Sequence, residues 1–252
     1  MSKNSSPKTV NAAVNENMEN RPVRKILNEE TARRMVEVCT EQNSSGRNSR
    51  NIFKCVEISG MHFKDETLIC LEAHYSKFKD VQFETCDLSR MEGYFTEFEN
   101  CRFVNCKLED GNFSFAKITN AEFINCNLID VDMSFAKGNF KGEKCMMRGL
   151  TAQNADLKIQ LTETNAANMY ANMAQIEIEA ESSNLRRSEF NDGCVKGSIT
   201  QTDLSSSEFN NADLSDLKLI DCATRNMETE GAVGIEDPQD DFSNIFNDDD
   251  EE

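Results

Sequence analysis

The sequence predicts an all-β solenoid with a short N-terminal helix and disordered ends, and three periodicities predict it. From Phe53 an apolar residue recurs at every fifth position, through Ile58, Phe63, Leu68, Ala73, Phe78, Phe83 and Leu88, and again from Phe98 to Met133. Gly93 alone breaks that series. Neither the helical nor the strand repeat sustains a period of five. Residues twenty apart repeat their identity: Phe63, Phe83, Phe103 and Phe123 form one column, and Leu68, Leu88, Leu108 and Leu128 form another. A small or apolar residue also sits two before most centres, as at Val81, Cys86, Met91, Cys101, Cys106, Ala116, Cys126 and Val131, with Glu66 and Ser76 as departures. A twenty-residue coil cannot bury a core alone, so stability must come from stacking. At ~4.8 Å per coil, roughly eight coils over residues 53–219 would make a rod about 40 Å long.

Taken in order, residues 1–27 are rich in Asn and Ser and read as a disordered extension. Asn28, followed by EETARRMVEVCTEQ, reads as a helix N-cap with Glu29 and Glu30 in the first turn. Ala32, Met35, Val36 and Cys39 lie on one stripe of that helix. Residues 28–52 are therefore expected to be a helical cap and linker over the open first coil, whose edge would otherwise expose unpaired strand groups. Regular coils are expected over 53–157, although Gly138 and Gly142 take centre slots before the register resumes at Met147, Ala152 and Leu157. Residues 158–182 fit the period poorly and predict a loop or distorted coil. Over 183–224 the pattern returns at Leu185, Phe190 and Val195, skips a residue, and runs from Ile199 to Leu219. Residues 225–252 read as an acidic disordered tail.

Segments such as CDLSR, CRFVN, CKLED, AEFIN, CNLID, ADLKI and ADLSD resemble the A(D/N)LXX signature of the pentapeptide-repeat family. The resemblance spans about two thirds of the chain and implies a right-handed quadrilateral β-helix with four pentapeptides per coil. It says little about activity.

Charge and composition narrow the function classes. The 252 residues carry 27 Lys+Arg and 45 Asp+Glu, a net charge of -18, which disfavours direct nucleic-acid binding. The imbalance is local: +3 over residues 1–52, -10 over 53–219 and -11 over 220–252. No apolar run is long enough for a membrane span and no secretory leader is evident. The ten cysteines follow no zinc spacing and read as reduced thiols of a bacterial cytoplasmic protein. Phosphate-loop, nucleophile-elbow and HExxH motifs are absent, and His62 and His74 occupy outward repeat positions, so no enzyme, cofactor or metal is expected. Cys86, Cys106 and Cys126 form a column that reads as small apolar core, with a metal or redox ladder as the alternative.

Two features remain as candidate partner-binding sites. Tyr75, Phe95, Phe115 and Phe135 stand twenty apart at a slot that is mostly Asp or Asn on the other faces. The repeat places them outside, where an apolar strip marks an interaction surface; a covering helix, a homodimer mate or inward rotation into the room left by Ala73 and Gly93 are the alternatives. In the tail, Phe242, Ile245 and Phe246 interrupt a run of acids, either as a linear motif or within a solubilising segment. The leading expectation is a non-catalytic protein-interaction scaffold. The Asn/Ser-rich start is similar in composition to those of pentapeptide-repeat effectors delivered into host cells. The alternative, taken from the family, is an acidic DNA-duplex mimic that inhibits or protects DNA gyrase. The column Glu57, Lys77, Glu97, Lys117, Lys137 alternates early in sign and speaks against a uniform acidic field.

Overall fold

At every fifth residue the backbone turns a corner by entering the left-handed region: φ is 54° at Asp80, 55° at Thr85, 58° at Arg90 and 57° at Phe95. Four such corners close one coil, and the inward side chains between them form the core. The computed structural model of the protein describes residues 22–44 and 53–234. Within them the chain is a parallel all-β solenoid of about eight coils with one short helix.

The strands are β1 (Lys25–Ile26), β2 (Val56–Ser59), β3 (His62–Lys64), β4 (Lys77–Lys79), β5 (Gln82–Glu84), β6 (Glu97–Glu99), β7 (Arg102–Val104), β8 (Lys117–Ile124), β9 (Lys137–Glu143), β10 (Asp156–Thr162), β11 (Gln175–Glu181), β12 (Cys194–Thr200) and β13 (Leu217–Ile220), with helix α1 (Glu29–Ser44) after β1. On the first face Ile58, Phe78, Phe98 and Ile118 register in parallel. On the second, Phe63, Phe83, Phe103 and Phe123 do so, with ring centroids 4.8–5.3 Å apart. The third and fourth faces stack through single bridges, such as Asp87↔Lys107 and Glu92↔Asn112. Phe113 explains the interruption at Gly93: a Cβ there would lie 2.8 Å from its ring, so the phenyl fills the space of a missing side chain.

The N-terminal end is closed twice. Residues 1–27 do not all behave as the expected disordered extension, because β1 adds in parallel to β2 with Lys25 opposite Val56. An unpaired strand edge recruits whatever chain lies within reach. Helix α1 follows, with Asn28 Oδ1 accepting from Thr31 N at 2.8 Å. Ala32, Val36 and Cys39 are buried on the first coil and Met35 is half-buried. The helix also accounts for Glu66, whose Oε2 accepts from Thr40 Oγ1 at 2.7 Å. Ser76 is buried, donating to the Phe53 carbonyl and accepting from Val56 N.

Residues 158–182 are not a loop or distorted coil. They form parts of regular coils nineteen residues long, with Asp156 opposite Gln175 and Gln175 opposite Cys194. The spacing changes within β8 and β9, where Lys117 faces Lys137 but Ala121 faces Phe140. It returns to twenty between Cys194↔Asp213 and Gly197↔Leu217. A glycine stands at each change, Gly138 at φ +126° and Gly197 at φ +116°. In the shortened coils a corner is lost and two short strands fuse into one of seven residues. Solenoid structure also continues past the expected boundary at 224. Glu208 bridges Glu228, Asp213 bridges Val233, and Met227 fills an inward slot.

Candidate interaction surface

Tyr75, Phe95, Phe115 and Phe135 occupy the corner between the fourth and first faces, each with φ between 57° and 60°. Bulky side chains rarely hold this conformation. Their rings lie nearly flat on one another, with centroids 5.3, 5.0 and 4.8 Å apart and interplanar angles of 5°, 16° and 6°. Phe95 is buried by its neighbours, while Tyr75, Phe115 and Phe135 are half-buried. The column thus runs along the outside of the corner and is not rotated inward, since Phe113 occupies the space beside Gly93. Helix α1 directs its polar contacts to His62, Glu66 and Thr67 on other faces. Among the described N-terminal residues Arg24 reaches the column, donating from Nε to the Tyr75 carbonyl at 2.7 Å and pairing with Glu97 at 2.9 Å.

Two further rings extend the cluster at its N-terminal end. His74 packs 4.3 Å from Tyr94, and Tyr94 meets both Tyr75 and Phe95 edge-on. Burial lowers the His74 pKa, and its buried Nδ1 has no hydrogen-bond partner among the described residues. His62, by contrast, is exposed and pairs with Glu84 at 3.0 Å.

The charge beside the strip changes along the rod. Lys77 pairs with Glu99 and Glu97 with Arg24. One coil further on, Lys117 registers directly on Lys137. Both are exposed, and neither takes part in an ion pair among the described residues. At several places on the first two faces charges are matched across coils, as in Lys64–Glu84, Arg102–Glu122 and Glu177 with Lys158 and Lys196.

The cysteine column continues as Cys86, Cys106, Cys126 and Cys145, followed by Thr164, Ser183 and Thr202. Its thiols and hydroxyls donate to backbone carbonyls, Cys106 Sγ to Phe83 O at 3.4 Å and Thr164 Oγ1 to Gly142 O at 3.1 Å. The slot therefore takes a small side chain that carries a donor. Burial pushes the Cys101 thiol, in a neighbouring column, up to about 12. Among the described residues no group of three metal-ligating side chains converges, and no helix is long and apolar enough to cross a membrane.

Sequence reasoning missed one arrangement. Asn172, Asn191 and Asn210 stack on the fourth face, each side-chain oxygen accepting from the backbone N–H one coil on: Asn191 N at 2.8 Å, Asn210 N at 2.7 Å and Glu230 N at 2.9 Å. Their amides donate to Glu189 at 2.9 Å, Glu208 at 3.0 Å and Glu228 at 3.5 Å. The signal was a nineteen-residue recurrence, invisible to a search at twenty. Phe242, Ile245 and Phe246 lie outside the described residues.

Residues 76–168 match the family model described as a pentapeptide repeat region. Among solved structures the chain is similar to QnrB1, a plasmid-mediated fluoroquinolone resistance protein, at 18% identity and a TM-score of 0.33, covering 70% of this chain and 90% of that one. It is also similar to HetL, a pentapeptide repeat protein involved in heterocyst differentiation regulation from the cyanobacterium Nostoc, at 13% identity and a TM-score of 0.28, covering 76% and 91%. Among curated proteins, none matches the chain in sequence.

Proposed function

Because the chain is a pentapeptide-repeat protein, we propose that it works without catalysis, as a rigid rod that binds a protein partner along the corner Tyr75–Phe95–Phe115–Phe135. The observation that carries this reading is the backbone conformation of those rings. A left-handed non-glycine residue costs about 1–2 kcal/mol, and each ring stack returns about 0.5–1.5 kcal/mol. Three stacks fall short of the strain at four residues, so the column has no folding role that Asn or Asp, as at Asn100 and Asp80 on the next corner, could not fill. Pre-stacked rings offer a rigid apolar strip that loses little side-chain entropy on binding. The ten free thiols support a reducing compartment such as the bacterial cytoplasm, or a host cytosol after delivery.

The test is affinity capture with the full chain and with the Phe95→Ser/Phe115→Ser variant, after circular dichroism shows both folded. Loss of a captured protein in the folded variant is expected. Equal capture by both proteins would remove the strip from the interface.

A second reading, the duplex mimic, is favoured by the glutamate ladder Glu189, Glu208, Glu228, whose side-chain partners are neutral amides. Against it stand the matched charges of the first two faces. It expects salt-sensitive inhibition of gyrase supercoiling that is lost when Asp203, Glu208 and Asp213 become Asn or Gln. No effect at micromolar protein would exclude it.

A further inference from the structure

Lys117 and Lys137 make an unusual pair. Parallel registration sets their backbones one strand spacing apart, ~4.8 Å, between Glu97, which pairs with Arg24 instead, and Asp156, with which Lys137 makes no ion pair, on a face where Lys77, Lys79 and Lys158 are paired with carboxylates. Stacked like charges destabilise a sheet. Beside them lie Phe115 and Phe135, the most closely stacked pair of the corner column. The sequence repeats this juxtaposition as SFAK at 114–117 and 134–137. A surface with two ammonium groups that make no ion pair among the described residues, beside two rings, fits an acidic segment that carries aromatic or aliphatic side chains.

We propose that the occupant is the chain's own tail, with Phe242, Ile245 and Phe246 against the Phe115–Phe135 rings and the flanking aspartates at Lys117 and Lys137. The tail has the complementary chemistry, DDFSNIFNDDDEE, and the described chain ends three residues past the corner that continues the column. Below Phe135 that corner is continued by Asn154, Met173, Asp192, Asn211 and Gly231. The last described residue is Gly234. Five coil spacings, about 24 Å, therefore separate the exit from the level of Phe135. The eight residues from Gly234 to Phe242 extend to about 26–29 Å, and Phe246 reaches farther still, to the level of Phe115. Met173, 53% exposed, lies on the path as an intermediate apolar contact. Electrostatics directs the tail past the lower coils. Residues 156–219 carry five basic and eleven acidic side chains and repel it, whereas the lysine pair attracts it.

The inference rests on the strip being a binding surface, but its test needs only the purified protein, so its failure is separable from failure of partner capture. Phe246 of the full chain is replaced by the photo-crosslinker p-benzoylphenylalanine, the dilute protein is irradiated, and crosslinked peptides are mapped. Crosslinks within the monomer to residues 113–141 are expected. Lys117→Glu with Lys137→Glu should reduce their yield about fivefold or more, the worth of two exposed ion pairs. Replacing Asp248, Asp249 and Asp250 by Asn should act in the same direction without touching the rod, which covers the case of a misfolded lysine variant. Crosslinks confined to a dimer band would assign the strip to a second copy and overturn the proposal. Crosslinks to Leu217–Val233, or none with a preferred position, would overturn it as well.

Discussion

Replacing Gly138 by alanine would place a Cβ 1.6 Å from the Ile118 carbonyl oxygen and 2.7 Å from its carbon, at φ +126°. Neither contact can be relieved by a side chain turning away, because both atoms are backbone of β8. The residue must leave its conformation, or β9 must move off β8 where the coil changes length. A sparsely populated conformation costs about 1–3 kcal/mol, and each ladder hydrogen bond lost to the displacement about 0.5–1.5 kcal/mol. Two such bonds bring the expected destabilisation to roughly 2–6 kcal/mol. Gly60 is the control, with φ +67° and nothing within 4 Å of the place a Cβ would take, so Gly60→Ala carries conformational strain alone, about 1–2 kcal/mol. Urea unfolding followed by circular dichroism compares the two variants, with the slope monitored because a solenoid can lose cooperativity at a weakened junction. Equal losses for the two variants would refute the assignment of Gly138 to the junction.

Asn191→Leu should cost about 2–4 kcal/mol, because it removes an acceptor from Asn210 N and a donor from Glu208 and leaves part-buried groups unpaired. Thermal unfolding checks it, and the neighbouring coils 172–211 should lose hydrogen-exchange protection first. For His74, burial lowers the folded pKa below the unfolded value, so the unfolded state takes up the proton first. Stability should therefore fall as pH drops below about 6.5, and His74→Asn should flatten that dependence. Glu92 has the opposite sign: burial, then the neighbouring Glu72, raises its pKa, so its protonation on acidification favours the fold. The difference between wild type and the His74 variant isolates the histidine.

The aromatic corner was legible in the sequence because its spacing matches that of the core columns beside it. The repeat also placed it outside, but spacing left inward rotation open, since that depends on Phe113, one coil away, filling the space beside Gly93. The shortened coils were illegible for a related reason. Deleting one residue per coil shifts every later column, and the inward residues exchange roles: Phe140 registers on Ala121 while Gly142 registers on Phe123. A ring two residues away from its expected slot reads as a broken repeat, although it fills the same core and meets Phe123 edge-on at 5.8 Å. Likewise the terminal coil over 225–234 has few apolar residues, and its backbone bridges to Glu208 and Asp213 have no signature in composition.

By itself, then, the sequence determined the class of fold, the twenty-residue coil of the first half and the helix with its Asn28 cap, because those follow from local period and from hydrogen bonds between near neighbours. The tertiary structure alone decided the change of coil length at Gly138 and Gly197, the parallel addition of β1, the asparagine–glutamate ladder and the stacking of Lys117 on Lys137 beside the stacked rings. Each of these is a relation between coils, set by which residue lies one spacing above another, and one deleted residue is enough to hide it from a linear reading.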